Sequence, residues 1–121
     1  MRDIANRADI EKIMTAFYDK VIVDDFMSFY YNKVNLEQHL PNITDFWEST
    51  LFNTANYTND ILTVHEHLNT LAPLKYEHFN RWVAVFCECI DDMYSGSIAE
   101  KAKEKAASIG MAMKIILVKN F

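Results

Sequence analysis

The scarcity of chain breakers is the strongest constraint in this sequence. Two glycines and two prolines stand among 121 residues, too few to turn the many short strands of a sandwich or barrel. No stretch alternates Val, Thr or Ile with polar residues over a strand's length, so the chain should be mostly helix. Half of the residues are hydrophobic and 13% aromatic, enough to bury one core of ordinary size. A single domain over residues 1–121 is expected, and disorder is not.

A net charge of −5 offers no electrostatic attraction to nucleic acid or an anionic membrane. No apolar run approaches the roughly 18 residues of a transmembrane helix. Residues 1–9 are charged and lack the apolar stretch of a signal peptide, which makes a cytoplasmic location the default expectation. Cys87 and Cys89 are two residues apart on a helical pattern, about 200° of rotation, so they face opposite ways. They can share neither a disulfide nor a metal ion, and read as structural thiols of a reducing compartment.

Taken in order, Asp9 is positioned to cap a helix to about Val23, with Ile10, Ile13 or Met14, Phe17 and Val21 as its apolar stripe. Asp24 and Asp25 open a short aromatic segment, Phe26 to Tyr31, of one or two tight turns. Asn35 to Gln38 has the form of a capping box for a helix reaching about Phe52. Pro41 either marks the start of its regular part or kinks its first turns. Residues 53–60 are polar and turn-forming. A short helix from Ile61 to Leu68 follows. From Tyr76 to Met93 the spacing of Phe79, Trp82, Val83, Phe86, Ile90 and Met93 is helical, and Ser95-Gly96 ends it. Ser97 to Glu100 reads as a second capping box. It opens a last helix through Ile98, Ala102, Ala106, Ile109, Met113 and Ile116. Its Lys101, Lys103 and Lys105 form a solvated face.

Four residues carry polar atoms on inward-facing stripes. His39 leads Ile43, Phe46 and Thr50 along one helical stripe, flanked by Leu40 and Trp47. His65 shares the inner face of the short helix with Ile61 and Leu68. Tyr18 and Trp82 sit on the inner sides of two other helices. Each has a plain structural role open to it: a core histidine bonded to a carbonyl, or a boundary tyrosine with its hydroxyl in water.

The order and spacing of these residues resemble a known family. The segments are Phe17-Tyr18-Asp19-Lys20-Val21, His39-Leu40-Pro41 leading to Asp45-Phe46-Trp47, Tyr57 eight residues before His65, and His78-Phe79-Asn80-Arg81-Trp82. Together they are similar to the truncated haemoglobins of bacteria, most closely their third group, over about residues 4 to 115. The first two groups carry paired-glycine turn motifs. This chain, with only Gly96 and Gly110, has neither, as in the third group.

The resemblance implies an all-α, globin-like two-over-two helical sandwich around a protohaem (haem b). It makes His65 the proximal iron ligand, the sole metal ligand, with its second ring nitrogen held by an acceptor such as a carbonyl at the helix end. His67 is two residues on and faces away, and the stripe of Ile61 and Leu68 selects His65. Tyr18, His39 and Trp82 match the distal ligand-binding residues, whose O–H and N–H groups stabilise a diatomic ligand that gains negative character. Ile43 is the expected apolar wall over the iron, with Phe46, Trp47 and Tyr31 packing at the haem. Tyr31 stands where many relatives have phenylalanine. Arg81 and Lys33 are candidate propionate partners on charge alone, beside an ordinary surface role.

The expected function is reversible binding of dioxygen, nitric oxide or carbon monoxide. Three distal donors suit slow release better than storage or oxygen transport. They suit nitric oxide dioxygenation or peroxidase-like chemistry served by a reductase. No residue is assigned as catalytic. Two other classes remain in view: a haem-based sensor or partner-binding helical module, and a helical interaction protein without a cofactor, in which His39 and His65 are core residues.

Overall fold

In the computed structural model the residues described are 1–28, 36–53 and 74–117. They form four helices and no strand: α1 (Arg7–Val21), α2 (Leu36–Phe52), α3 (Tyr76–Met93) and α4 (Ser97–Leu117). Helix α1 packs against α2 and α3, and α4 packs against α3 and more narrowly against α2. This is the all-α, globin-like two-over-two sandwich expected. The short helix expected at Ile61 to Leu68, the loop before it from residue 54, and most of the aromatic segment after Ser28 lie outside the described residues. Tyr31, Lys33, Tyr57, His65 and His67 lie there too.

The core follows the stripes. Ile10, Ile13, Met14, Phe17, Tyr18 and Val21 of α1 are buried against Phe79, Trp82, Val85, Phe86, Cys89 and Ile90 of α3. On the contact face of α4 the residues are small, Ala99, Ala102 and Ala106. Gly110 continues that face, and a Cβ there would stand 2.8 Å from Val83 Cγ2. The glycine permits the close approach of α3 and α4 at a modest cost in helix propensity.

Two caps differ from the sequence expectation. Helix α1 is capped by Asn6, whose side chain accepts the Asp9 N–H at 3.1 Å, and it ends at Val21. Asp9 is drawn inward instead, 1% exposed. Its carboxylate accepts from the Arg2 guanidinium at 2.7 Å, the Ala5 N–H at 2.8 Å and the Tyr94 hydroxyl at 3.0 Å. At α4 the capping box is not formed. Glu100 turns to Lys103 at 2.9 Å, and the cap comes from Asp3, which accepts the N–H groups of Ile98 and Ala99, each at 2.8 Å. Ser97 also bonds Asp3. Gly96 makes room for this carboxylate: its φ is +146°, and a Cβ there would lie 2.4 Å from Asp3 Cγ. Both features demand glycine.

Helix α2 starts at Leu36, one residue past Asn35, and runs through Pro41 without ending. Pro41 is the sixth residue of the helix, past its first turn, so its missing N–H takes from the Glu37 carbonyl its donor within the helix. Asn53, at φ +57°, closes α2 in the left-handed conformation that asparagine adopts readily. Helix α3 matches its expected bounds. His78 fastens its first turn by accepting the Lys75 N–H on Nδ1 at 2.9 Å. Lysine has no acceptor to return, so this is half of a capping box. No helix among the described residues is long and apolar enough to cross a membrane.

Candidate functional site

The packing of α1 on α2 brings Tyr18 and His39 into direct contact. Their rings meet edge to face, with centroids 5.6 Å apart and planes at 85°. Tyr18 is only 4% exposed, so it is not a boundary tyrosine with its hydroxyl in bulk water. His39 lies in the first turns of α2, half-buried, before Pro41. Ile43, one turn on, and Phe46 are half-buried against the core.

The packing of α1 on α3 brings in Trp82 through Phe17. Phe17 contacts Tyr18 at 5.4 Å and Trp82 at 6.3 Å, both edge to face. Trp82 stacks on Phe86 at 5.9 Å, and Phe86 stacks on Trp47 at 4.7 Å. A continuous set of rings therefore joins α1, α2 and α3, with Tyr18 and His39 at one end. Trp47 is core, 1% exposed, and its indole N–H meets no hydrogen-bond acceptor among the described residues.

Arg81 follows a different course from the rest. Its Nε and Nη2 donate to Asp24 Oδ2 at 2.9 and 2.6 Å. The other oxygen, Oδ1, accepts the N–H groups of Phe26 and Met27 at 2.9 and 3.2 Å. Asp24 thus caps the turn that opens the aromatic segment and clamps Arg81 at once. The guanidinium, helped by those N–H groups against the effect of burial, holds the Asp24 carboxyl below the usual carboxylate range. Phe26 stacks on His78, centroids 4.2 Å apart and planes at 8°. Burial, with Lys75 nearby, pushes the His78 imidazole below its ordinary value and keeps it neutral, as an acceptor must be.

Sequence reasoning named Tyr18, His39, Ile43 and Trp82 as expected lining; it did not name Asp24 as Arg81's partner or His78 as the fastening of α3. Local signals existed for both, an aspartate two residues before an aromatic and a histidine at the third helical position. Which cation or ring would meet them was not local. The two cysteines are free, Cys89 buried and Cys87 half-buried. Burial pushes both thiols up, with Lys103 near one and Lys20 near the other, in keeping with opposite faces and inert, protonated sulfur.

Comparison with known proteins bears on the fold. No family model matches the chain. The chain is 26% identical over 120 residues to the group 3 truncated haemoglobin of Campylobacter jejuni, covering 94% of this chain and 92% of that protein. The crystal structure of the group III truncated haemoglobin from Campylobacter jejuni superposes with a TM-score of 0.86 at 25% identity, covering 98% of this chain and 97% of that one. Over nearly its whole length, then, the chain is similar in sequence and in fold to a group III truncated haemoglobin.

Proposed function

We propose that this chain is a haem-binding globin that takes a diatomic ligand, with dioxygen, nitric oxide and carbon monoxide as candidates. The observation that carries the reading is the Tyr18–His39 pair, a phenol and an imidazole in edge-to-face contact beside Phe17, with Ile43 and Phe46 packed against the same core. The residues fit the group. A flat apolar macrocycle suits Ile43 and Phe46, and a small polar ligand beside it suits a clustered donor set. The similarity to truncated haemoglobins supports the same cofactor.

In this reading the haem is protohaem, held by His65, and supplies the iron that binds the ligand. Tyr18, His39 and Trp82 orient and hydrogen-bond the ligand on the distal side. Tyr31, Trp47 and Arg81 belong to the surroundings, the first two packing and Arg81 beside Trp82. His39 polarises and gates the site without serving as a permanent ligand to the iron, because its helix carries Pro41 within the next turn. A donor set of three favours retention of ligand. The reaction it suits is nitric oxide dioxygenation or peroxide activation in the cytoplasm, with electrons from a reductase.

The test is the absorption spectrum of the purified protein, ferric, ferrous and with carbon monoxide. A histidine-ligated haem spectrum lost in His65→Ala and kept in His67→Ala supports the reading. A folded, colourless protein that takes up no added haem would end it and favour a cofactor-free interaction module. Retention of the spectrum in His65→Ala with its loss in His67→Ala would reassign the proximal ligand.

A further inference from the structure

The turn after α1 is fastened to α3 at two points, Asp24 on Arg81 and Phe26 on His78, and the first adjoins Trp82, a proposed ligand-binding residue. The Tyr18 carbonyl accepts the Ile22 N–H at 3.0 Å, and the Val21 carbonyl accepts the Asp24 N–H at 3.2 Å. The Asp24 carboxylate then grips Arg81, whose neighbour in the chain is Trp82. One turn before Arg81, His78 is covered by the Phe26 ring. Tyr18 and Trp82 are thus joined by a short run of directed bonds in addition to their packing through Phe17.

We infer that the Asp24–Arg81 pair is a positioning device: it sets the relation of Tyr18 to Trp82 and so the discrimination between ligands that accept hydrogen bonds and ligands that do not. This rests on the haem-binding reading above. The pair suits the role because Asp24 is over-determined, with two backbone N–H groups on one oxygen and the guanidinium on the other. Arginine's planar fork adds direction that a lysine would lack. Arg81 is 53% exposed, so the pair adds little to global stability. Its effect is geometric, since a binding constellation works only when held within about half an ångström by its supporting groups. Phe26 on His78 keeps the turn from pivoting about the ion pair.

The alternative use of Arg81, binding a haem carboxylate, makes a different forecast for Asp24. The experiment compares the haem-loaded protein with Asp24→Asn, Arg81→Met and the exchanged double variant Asp24→Arg/Arg81→Asp. The C–O stretching band of the carbon monoxide complex reports the polarity around the ligand. Dissociation rates of dioxygen and carbon monoxide are read alongside it. We expect the two single variants to shift or broaden the band alike. The ratio of the two release rates should change by about twofold to thirtyfold, with thermal unfolding nearly unchanged. The exchanged variant should move the band only part of the way back, because an arginine at position 24 restores the ion pair but cannot accept the Phe26 and Met27 N–H groups.

The inference is overturned if Asp24→Asn leaves band and ratio as they were. It is overturned equally if only Arg81→Met has an effect and that effect is loss of haem, which would make Arg81 a carboxylate partner. Failure of the unaltered chain to bind haem is a separate outcome, which sinks the underlying reading and this inference with it.

Discussion

The two ends of α1 treat buried polar groups in opposite ways. Near the start, Asp9 meets a guanidinium, a backbone N–H and a phenol, the first two from the N-terminal segment and the third from the end of α3. Around it Arg2 also lies over the Tyr94 ring, 5.5 Å from its centroid, and the Arg2 carbonyl accepts the Ser95 N–H at 3.0 Å. Near the end, Tyr18 is equally buried but set among rings, Phe17 and His39. The first arrangement uses charge and matched hydrogen bonds to tie the N-terminal segment to α1 and the α3–α4 corner. The second sets a phenol and an imidazole edge to face beside a further ring. A buried polar group answered by opposite charge is architecture. One surrounded by rings is a candidate for binding.

The sharpest way to break this comparison is to remove Asp9. Asp9→Ala takes the partner from the Tyr94 hydroxyl and the Ala5 N–H inside the core, at a cost of about 2–4 kcal/mol. That corresponds to a fall in melting temperature on the order of 10 °C for a domain of this size, read by circular dichroism. A fall of only about 2 °C or less would show the clasp to be ornamental.

Acid should act on the same end. The Arg2 guanidinium holds the Asp9 carboxyl far below the usual carboxylate range, with the Ala5 N–H and Tyr94 hydroxyl adding to it and burial opposing. At Asp3, burial works against the charge, but the N–H groups of Ile98, Ala99 and Ile4 and the Ser97 side chain outweigh it and lower that carboxyl too. Both groups stay ionised in the folded chain where the unfolded chain, at about 3.9 for an aspartate, takes up protons. Their stabilisation is therefore complete above that value and drains away as pH falls through the lower folded values. Urea midpoints between pH 6 and pH 3 should fall steeply in the unaltered chain and less so in Asp9→Asn.

Gly96→Ala attacks the clasp from its other side. A Cβ at positive φ, aimed at the Asp3 carboxylate, should cost about 2 kcal/mol or somewhat more. Gly110→Ala, whose only close neighbour is a valine methyl, should cost less, because about 1 kcal/mol of helix propensity offsets the contact. Equal losses in the two variants would mean that the Asp3 cap is unimportant.

At the other end the effects should appear in ligand kinetics and not in folding. Tyr18→Phe or Trp82→Phe should speed dioxygen release by about tenfold to a hundredfold, the equivalent of losing one hydrogen bond of roughly 1.4–2.8 kcal/mol. Carbon monoxide gains little charge on binding, so its release should change far less. Stopped-flow measurements on both ligands decide this. Equal changes for the two would assign the pocket to steric access, and unchanged rates would return Tyr18 to a packing role.

The smallest effect is expected at Trp47, which belongs to neither end. Its N–H meets no acceptor among the described residues, so Trp47→Phe removes a group whose burial costs about 1–3 kcal/mol. The space left behind costs a similar amount. The net change in stability should lie within about 1 kcal/mol, measured by urea unfolding. A much larger loss would mean that the indole fills its site too well for the N–H to matter.

The amino-acid sequence by itself determined where helices run, because that information is local. Phe79, Trp82, Phe86 and Ile90 recur at the helical period, and the Ser95-Gly96 break stops them; the bounds of α3 follow from neighbours in the chain. The opposed cysteines and the inward placement of Tyr18 and Trp82 are consequences of the same period. Only the tertiary structure decided which polar groups meet. The sequence points to Asp9 as the cap of α1, but Arg2 and Tyr94 meet Asp9 in the core and the cap is Asn6. Ser97 and Glu100 have the spacing of a capping box, yet Asp3, from the far end of the chain, supplies the cap, because a carboxylate held by several N–H groups is the stronger acceptor. Arg81 carries no local sign that it will bind Asp24, nor His39 that its ring will stand against Tyr18. Period is set by bonds along the chain, whereas a hydrogen-bond partner is chosen among all the groups that folding brings within about 3 Å.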